Sequence, residues 1–191
     1  MGRLLVITNL TLDGVMQSPG RPDEDTRGSF THGGWAAPFG AMQQCGNALA
    51  NMEALLFGRW TYTNFASHFP KHPENPFTAF LTNIPKYVAS TTLDEPLPWS
   101  NSTLLKGHAS RSVAALKQEM KGDLVVFGSG ELVRSLLRES LVDELVLLIH
   151  PLVLGSGRRL FAADAFTAFE LLSATSTPNG VVIATYRPSP Q

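Results

Sequence analysis

Eight short apolar runs, each of four to nine residues, recur along this chain and are separated by glycine, proline and polar turn residues. They cover residues 3–9, 54–57, 86–90, 103–106, 123–127, 144–152, 169–175 and 181–187. Runs this short, with Val, Ile, Leu and Phe in sequence rather than alternating with polar residues, read as strands buried on both faces. Helical stretches lie between many of them. Residues 38–52 carry an imperfect apolar stripe of Phe39, Met42, Ala48, Leu49 and Met52. Residues 111–121 place Val113, Leu116 and Met120 on one side, with Ser110 as an N-cap and Gly122 as the stop. Residues 131–139 carry Leu132, Leu136 and Leu137 directly after a glycine pair.

Alternating strands and helices predict an α/β fold with three layers: a mostly parallel eight-stranded sheet covered by helices on both faces. The C-terminal end differs. Residues 169–187 hold two strand segments around Pro178-Asn179-Gly180, and Asn-Gly is a strong hairpin signal. The sheet is therefore expected to close with an antiparallel C-terminal edge hairpin. At 191 residues the chain is expected to form one domain over 1–191, since domains run to about 100–200 residues. Residues 17–34 and 67–76 read as loops, the first longer than most connections and so expected to serve function.

Fifteen Lys and Arg against 16 Asp and Glu leave a net charge of -1. That balance excludes a broad grip on nucleic acid or an anionic membrane surface, because no excess positive charge exists to neutralise phosphates. Cys45 is the sole cysteine, so neither an intrachain disulfide nor a thiolate metal site can form. No metal site is expected: His68 and His72 are four apart, but Pro70 breaks the helix that would align them. The longest apolar stretch is interrupted by His150-Pro151 and cannot span a bilayer. A soluble cytoplasmic protein is expected.

Four segments carry candidate chemistry. Leu124 to Phe127 ends in Gly128-Ser129-Gly130-Glu131, a strand–glycine–helix turn of the kind whose free amides meet phosphate. The third glycine of a dinucleotide fingerprint would fall at Val133, so a plain tight turn remains an alternative. Phe57-Gly58-Arg59-Trp60-Thr61 puts a guanidinium and a hydroxyl just past a buried strand, either to meet a phosphate or as a surface charge. Thr11-Leu12-Asp13-Gly14 is a turn whose carboxylate could also anchor or protonate a bound ring. Gly155-Ser156-Gly157-Arg158-Arg159 could hold an anion or be a solvated basic loop.

Taken in order, Leu12-Asp13-Gly14, Phe57-Gly58-Arg59-Trp60-Thr61, Val88-Ala89-Ser90-Thr91, Phe127-Gly128-Ser129-Gly130-Glu131, Val142-Asp143-Glu144-Leu145 and Gly157-Arg158-Arg159-Leu160-Phe161 resemble the dihydrofolate reductase-like group. Within it they look most like the RibD C-terminal domain, the reductase domain of bacterial riboflavin biosynthesis proteins. The resemblance spans residues 3–187 and implies a dihydrofolate reductase-like fold, an NADPH cofactor and a homodimer. It implies that Gly58, Arg59, Trp60 and Thr61 lie against the adenosine phosphates. Ser90 and Thr91 would face the ribose 2′-phosphate, and Gly128, Ser129, Gly130, Glu131 and Leu132 the pyrophosphate. Asp13 and Gly14 would lie near nicotinamide and substrate, with Asp13 a candidate proton source and Trp35 a candidate stacking wall.

The chain departs from folate enzymes in having no Asp or Glu between residues 30 and 52, where a carboxylate would grip a pterin. It also lacks room for the deaminase domain that riboflavin enzymes often carry. The expected function is thus a stand-alone NADPH-dependent reductase of a small heterocyclic substrate, resembling 5-amino-6-(5-phosphoribosylamino)uracil reductase. The alternatives are a non-catalytic nucleotide- or ligand-binding protein on the same fold, or a pterin/dihydrofolate-type reductase.

Overall fold

The computed structural model describes residues 1–74, 76–161 and 166–189. Its centre is the strand Leu4–Thr11 (β1), whose side chains alternate between two apolar layers. Leu4 and Val6 face one layer, while Leu5 and Ile7 face the other. The inner strands of the parallel block repeat that split: Leu56, Val126 and Leu145 join the first layer, and Leu55, Phe57, Val125 and Val146 the second. This two-sided burial is the reason the strands read as unbroken apolar runs.

The remaining strands are β2 (Met52–Gly58), β3 (Lys86–Ala89), β4 (Ser102–Leu105), β5 (Asp123–Phe127), β6 (Glu144–His150), β7 (Phe169–Ser176) and β8 (Val182–Pro188). They form one eight-stranded sheet in the order β4-β3-β2-β5-β1-β6-β8-β7. All pairs from β4 to β6 are parallel; β8 runs antiparallel to both β6 and β7. The final hairpin turns at Gly180, whose φ of +81° is natural for glycine, with Gly180 N donating to Thr177 O at 3.0 Å. Every expected strand is present, with bounds shifted by a few residues at most.

The helices are α1 (Gly46–Leu49), α2 (Arg59–His68), α3 (Pro76–Asn83), α4 (Ala109–Glu119) and α5 (Gly130–Arg138). Tyr62 of α2 and Leu81 pack on one sheet face; Val113 of α4 and Leu132, Val133 and Leu136 of α5 pack on the other. The helix expected over 38–52 is instead two 3₁₀ turns, Ala37–Phe39 and Ala41–Cys45, followed by the single turn of α1. Gly40 separates them at φ +57°, and the residues from Met52 already belong to β2. Ser110 does not cap its helix: α4 begins at Ala109 with no side-chain cap. The loop expected over 67–76 is partly helical, because α2 runs to His68 and a 3₁₀ turn covers Phe69–Lys71. Among the described residues no helix is long and apolar enough to cross a membrane.

Residues 17–34 form an ordered strap. Trp35 Nε1 donates to Gln17 O at 2.8 Å, and Gln17 Nε2 donates to the carbonyls of Asp25 and Arg27 at 3.1 and 2.9 Å. Val15, Phe30, Trp35 and Ala36 make a small apolar cluster beneath it.

Candidate functional site

Strands β1, β2, β3 and β5 all run in one direction, so their carboxyl ends lie along one rim of the sheet. A cleft of about 1230 Å³ follows that rim. Pockets for a single small molecule span about 300–1,000 Å³, so this one has room for a dinucleotide beside a second ligand.

Its floor is made where two strands hand over to helices. β2 passes through Gly58 into α2, and β5 passes through Gly128 and Ser129 into α5. The two turns are tied together. Gly58 N donates to Ser129 Oγ at 3.1 Å, and Ser129 N donates to Thr61 Oγ1 at 3.2 Å. Gly128 and Ser129 both adopt positive φ, +57° and +49°, which swings the chain sharply from strand to helix. Neither α2 nor α5 has a side-chain cap. Their first amides therefore remain open at the cleft, and the positive ends of two helix dipoles converge there. Such a pair of ends suits two linked anionic groups.

Arg59 opens α2, is exposed, and has no ion-pair partner among the described residues. Ser90 and Thr91 lie one strand further along at the end of β3, with Ser90 Oγ receiving the Thr92 and Leu93 amides at 3.1 Å each. The eleven residues Gly58, Arg59, Trp60, Thr61, Ser90, Thr91, Gly128, Ser129, Gly130, Glu131 and Leu132, expected from sequence to surround one ligand, all line this cleft.

Asp13, Gly14 and Trp35, expected beside the substrate, do not line it. The Asp13 carboxylate accepts Thr11 Oγ1 at 2.5 Å, Leu154 N at 3.2 Å and Gly155 N at 2.9 Å. Its pKa is held down to about 2, first by the Thr11 hydroxyl and then by those amides outweighing desolvation. A carboxylate so acidic carries no proton near neutrality and latches the β1 exit to the 154–159 turn. Gly14, at φ +78°, completes the turn that brings it there. Trp35 is buried beneath the strap, backing the wall rather than forming its surface.

The strap supplies groups that sequence reasoning did not select. Arg21, Glu24, Asp25 and Arg27 all line the cleft. Arg27 lies over the Trp60 ring at 3.9 Å, Arg21 Nη2 donates to Asn64 Oδ1 at 3.0 Å, and Asn64 Nδ2 donates to Glu24 O at 2.7 Å. These contacts fasten the strap to α2 across the cleft. Burial pushes the Glu24 carboxyl up, against the Gly20 and Arg21 amides that lower it. Burial also raises Asp25, but the Arg27 side chain and amide outweigh it and hold that carboxylate low. On the opposite wall Arg158 pairs with Glu131 at 2.8 Å, and Arg159 binds the Asp13 carbonyl at 2.8 Å.

The inner end of the cleft is marked by Ile7, Thr8 and Asn9 of β1. Asn9 interrupts an apolar strand, which is the signal that could have singled it out. Behind it, His150 Nε2 lies 2.9 Å from Asn9 Oδ1. His150 is fully buried, and burial pushes its pKa down to about 4, so the ring is neutral at ordinary pH.

Comparison with known proteins agrees with this geometry. The family model described as RibD C-terminal domain matches residues 4–183. The Bacillus subtilis proteins YyaP and YwjB, both uncharacterised, are 31% identical over 121 residues and 30% over 111 residues. Those matches span about three fifths of the length of either relative, 61% and 59%, and 59% and 58% of this chain. A Shewanella protein named for riboflavin biosynthesis superposes with a TM-score of 0.68 at 21% identity, covering 98% of this chain and 99% of that one. Enterococcus faecalis dihydrofolate reductase, solved with NADP(H), gives 0.62 at 14% identity over 99% and 98%. Acinetobacter baumannii RibD gives 0.66 at 17% identity, with all of this chain covering 59% of that protein. These likenesses fix the fold as dihydrofolate reductase-like.

Proposed function

The chain belongs to the RibD C-terminal domain family, and from that membership and the cleft we propose that it is an NADPH-dependent reductase of a small heterocyclic substrate. The observation that carries the reading is the convergence of two uncapped helix N-termini at Gly58 and Ser129, flanked by the Ser90 turn and by Arg59, which has no ion-pair partner among the described residues. The residues present fit the cofactor. The amides at the starts of α2 and α5 would hold its pyrophosphate, and Arg59, Ser90 and Thr91 its 2′-phosphate. Three strand steps separate β3 from β1, about 14 Å at about 4.8 Å each, which suits a dinucleotide lying along the rim with its reactive ring toward Asn9.

When bound, the cofactor supplies a hydride. The chain holds the two reactants in register and keeps water away by means of the strap. Burial raises the Glu24 carboxyl, which lines the cleft. The segment 36–42 brings Ala36, Ala37, Gly40, Ala41 and Met42 to the wall and no carboxylate. This argues for a substrate other than a pterin, since nothing there pairs with an amidine-like edge.

The test is a titration of the intact protein with NADPH, followed through tryptophan emission, because Trp60 lies in the cleft. NADPH is expected to bind about tenfold more tightly than NADH, which corresponds to about 1.4 kcal/mol from the Arg59–phosphate pair. Arg59→Ala should narrow that difference. Equal affinities for both nucleotides in the unaltered protein, or no quenching, would refute the reading. Oxidation of NADPH in the presence of pyrimidines, pterins and quinones then separates a reductase from a protein that only binds.

A further inference from the structure

His150 presents an unusual arrangement behind the cleft. It is 0% exposed, its Nδ1 has no hydrogen-bond partner among the described residues, and its Nε2 is 2.9 Å from Asn9 Oδ1. The ring is gripped edge-on by Trp35 and Phe39, at 5.2 and 5.0 Å between centroids. A neutral imidazole has one N–H and one bare nitrogen. With Nε2–H donating to Asn9 Oδ1, the single N–H is used and Nδ1 is left as a lone pair among apolar neighbours. That arrangement fixes the Asn9 carboxamide as well as the ring. Its oxygen is committed to His150, so its NH₂ must point the other way, and Asn9 borders the inner end of the cleft.

We propose that Asn9, oriented by His150, is a recognition residue that presents a fixed N–H donor at the inner end of the cleft and selects a ligand ring carrying a carbonyl oxygen. The inference rests on the reductase reading, which places the reacting rings at this end of the rim. The shared chemistry has two sources: the carboxamide oxygen of the nicotinamide, or a ring lactam of the substrate. His150 touches neither and is a positioning residue. Placing Asn here carries a local cost, since Asn is disfavoured in strand interiors. A buried imidazole with an unused nitrogen is likewise costly unless it serves something.

The experiment uses the intact protein and two variants of Asn9. Asn9→Asp keeps the shape but loses the NH₂, and Asn9→Ala removes the amide; His150→Phe removes the partner while retaining an aromatic ring. Each is titrated with NADPH and with 2′,5′-ADP, which has the phosphates but no nicotinamide, and, in the presence of NADP⁺, with uracil. Loss of one hydrogen bond predicts affinity about fivefold to tenfold weaker for the ligand that Asn9 reads. Weaker NADPH with unchanged 2′,5′-ADP identifies the nicotinamide oxygen. Unchanged NADPH with weaker uracil identifies a substrate lactam. His150→Phe should give a smaller loss for the same ligand, and the double variant Asn9→Ala/His150→Phe should be no worse than Asn9→Ala, the signature of coupling. A purely structural role would weaken all three ligands together or none, and either result overturns the inference. If the unaltered protein binds 2′,5′-ADP and NADPH but no variant changes them or uracil, this inference fails while the reductase reading stands. If the unaltered protein binds no NADPH, both fall.

Discussion

Replacing Asp13 separates a latch from a proton donor. Its carboxylate accepts hydrogen bonds from Thr11, Leu154 and Gly155 and a longer one from Arg159 at 3.5 Å, and its side chain is 19% exposed. Hydrogen bonds to a charged group contribute about 1.5–3 kcal/mol each before water replaces part of the loss. Asp13→Ala should therefore destabilise the fold by about 2–3 kcal/mol, and Asp13→Asn, which keeps an acceptor but no charge, by about 1 kcal/mol. For a chain of this size 1 kcal/mol moves the melting midpoint by roughly 2–4 °C, so the alanine variant should melt roughly 5–10 °C lower. Urea denaturation supplies the assay. The pH dependence has a definite sign. The folded pKa of about 2 lies below the ordinary 3.8, so the stabilisation is full above pH 4 and fades as pH falls from 4 toward 2. The gap between the unaltered protein and Asp13→Asn should narrow over that window. Since Asp13 lies outside the cleft, Asp13→Asn should leave NADPH affinity and turnover within about threefold, whereas loss of a general acid costs about 10²–10⁴. A fully stable Asp13→Asn with turnover reduced a hundredfold would refute the reasoning.

Three further outcomes follow from the geometry. Burial depresses the His150 pKa to about 4 from 6.5, so stability should fall as pH drops from 6.5 to 4, by roughly 3 kcal/mol in all, and His150→Phe should flatten that slope in denaturation measured across the window. Gly157→Ala should cost more than about 2 kcal/mol: φ is +119° and a Cβ would stand 2.7 Å from Val15 Cγ1 and 2.8 Å from Phe30 Cε2, and a melting point within 2 °C of the unaltered protein would count against it. Arg27→Ala removes the cation above Trp60, a contact of about 1 kcal/mol, and should increase proteolytic nicking within residues 17–34 by several-fold while altering Trp60 emission.

The strands were legible because burial on both sheet faces leaves an apolar signature that needs no knowledge of the partner strands. Asp123–Phe127, for instance, falls where the sequence placed it, and all five of its residues are buried. Helices α2 and α3 were not legible. In Arg59–His68 only Tyr62 is buried, and the Thr and Asn content offers neither an apolar stripe nor helix propensity. The 38–52 stripe misled in the opposite direction, because Gly40 at positive φ breaks the backbone whatever the side chains suggest. For the site, residues at strand ends could be read from sequence since a parallel sheet collects them on one rim. The strap residues Arg21, Glu24 and Arg27 could not, because their place depends on contacts 33 to 43 positions away, such as Arg27 with Trp60 and Glu24 with Asn64. Asp13 misled for the same reason: its partners Leu154 and Gly155 lie 141 and 142 residues on.

Gln17 is only 4% exposed and uses its amide nitrogen on Asp25 and Arg27, its side-chain oxygen on the Arg158 amide at 2.9 Å, and its backbone carbonyl on Trp35. One side chain thus rivets the cover to the wall that carries the 154–159 turn. Peeling back any one of those segments would strand the others' polar groups together, so the mouth of the molecule is built to open in a single cooperative step rather than residue by residue.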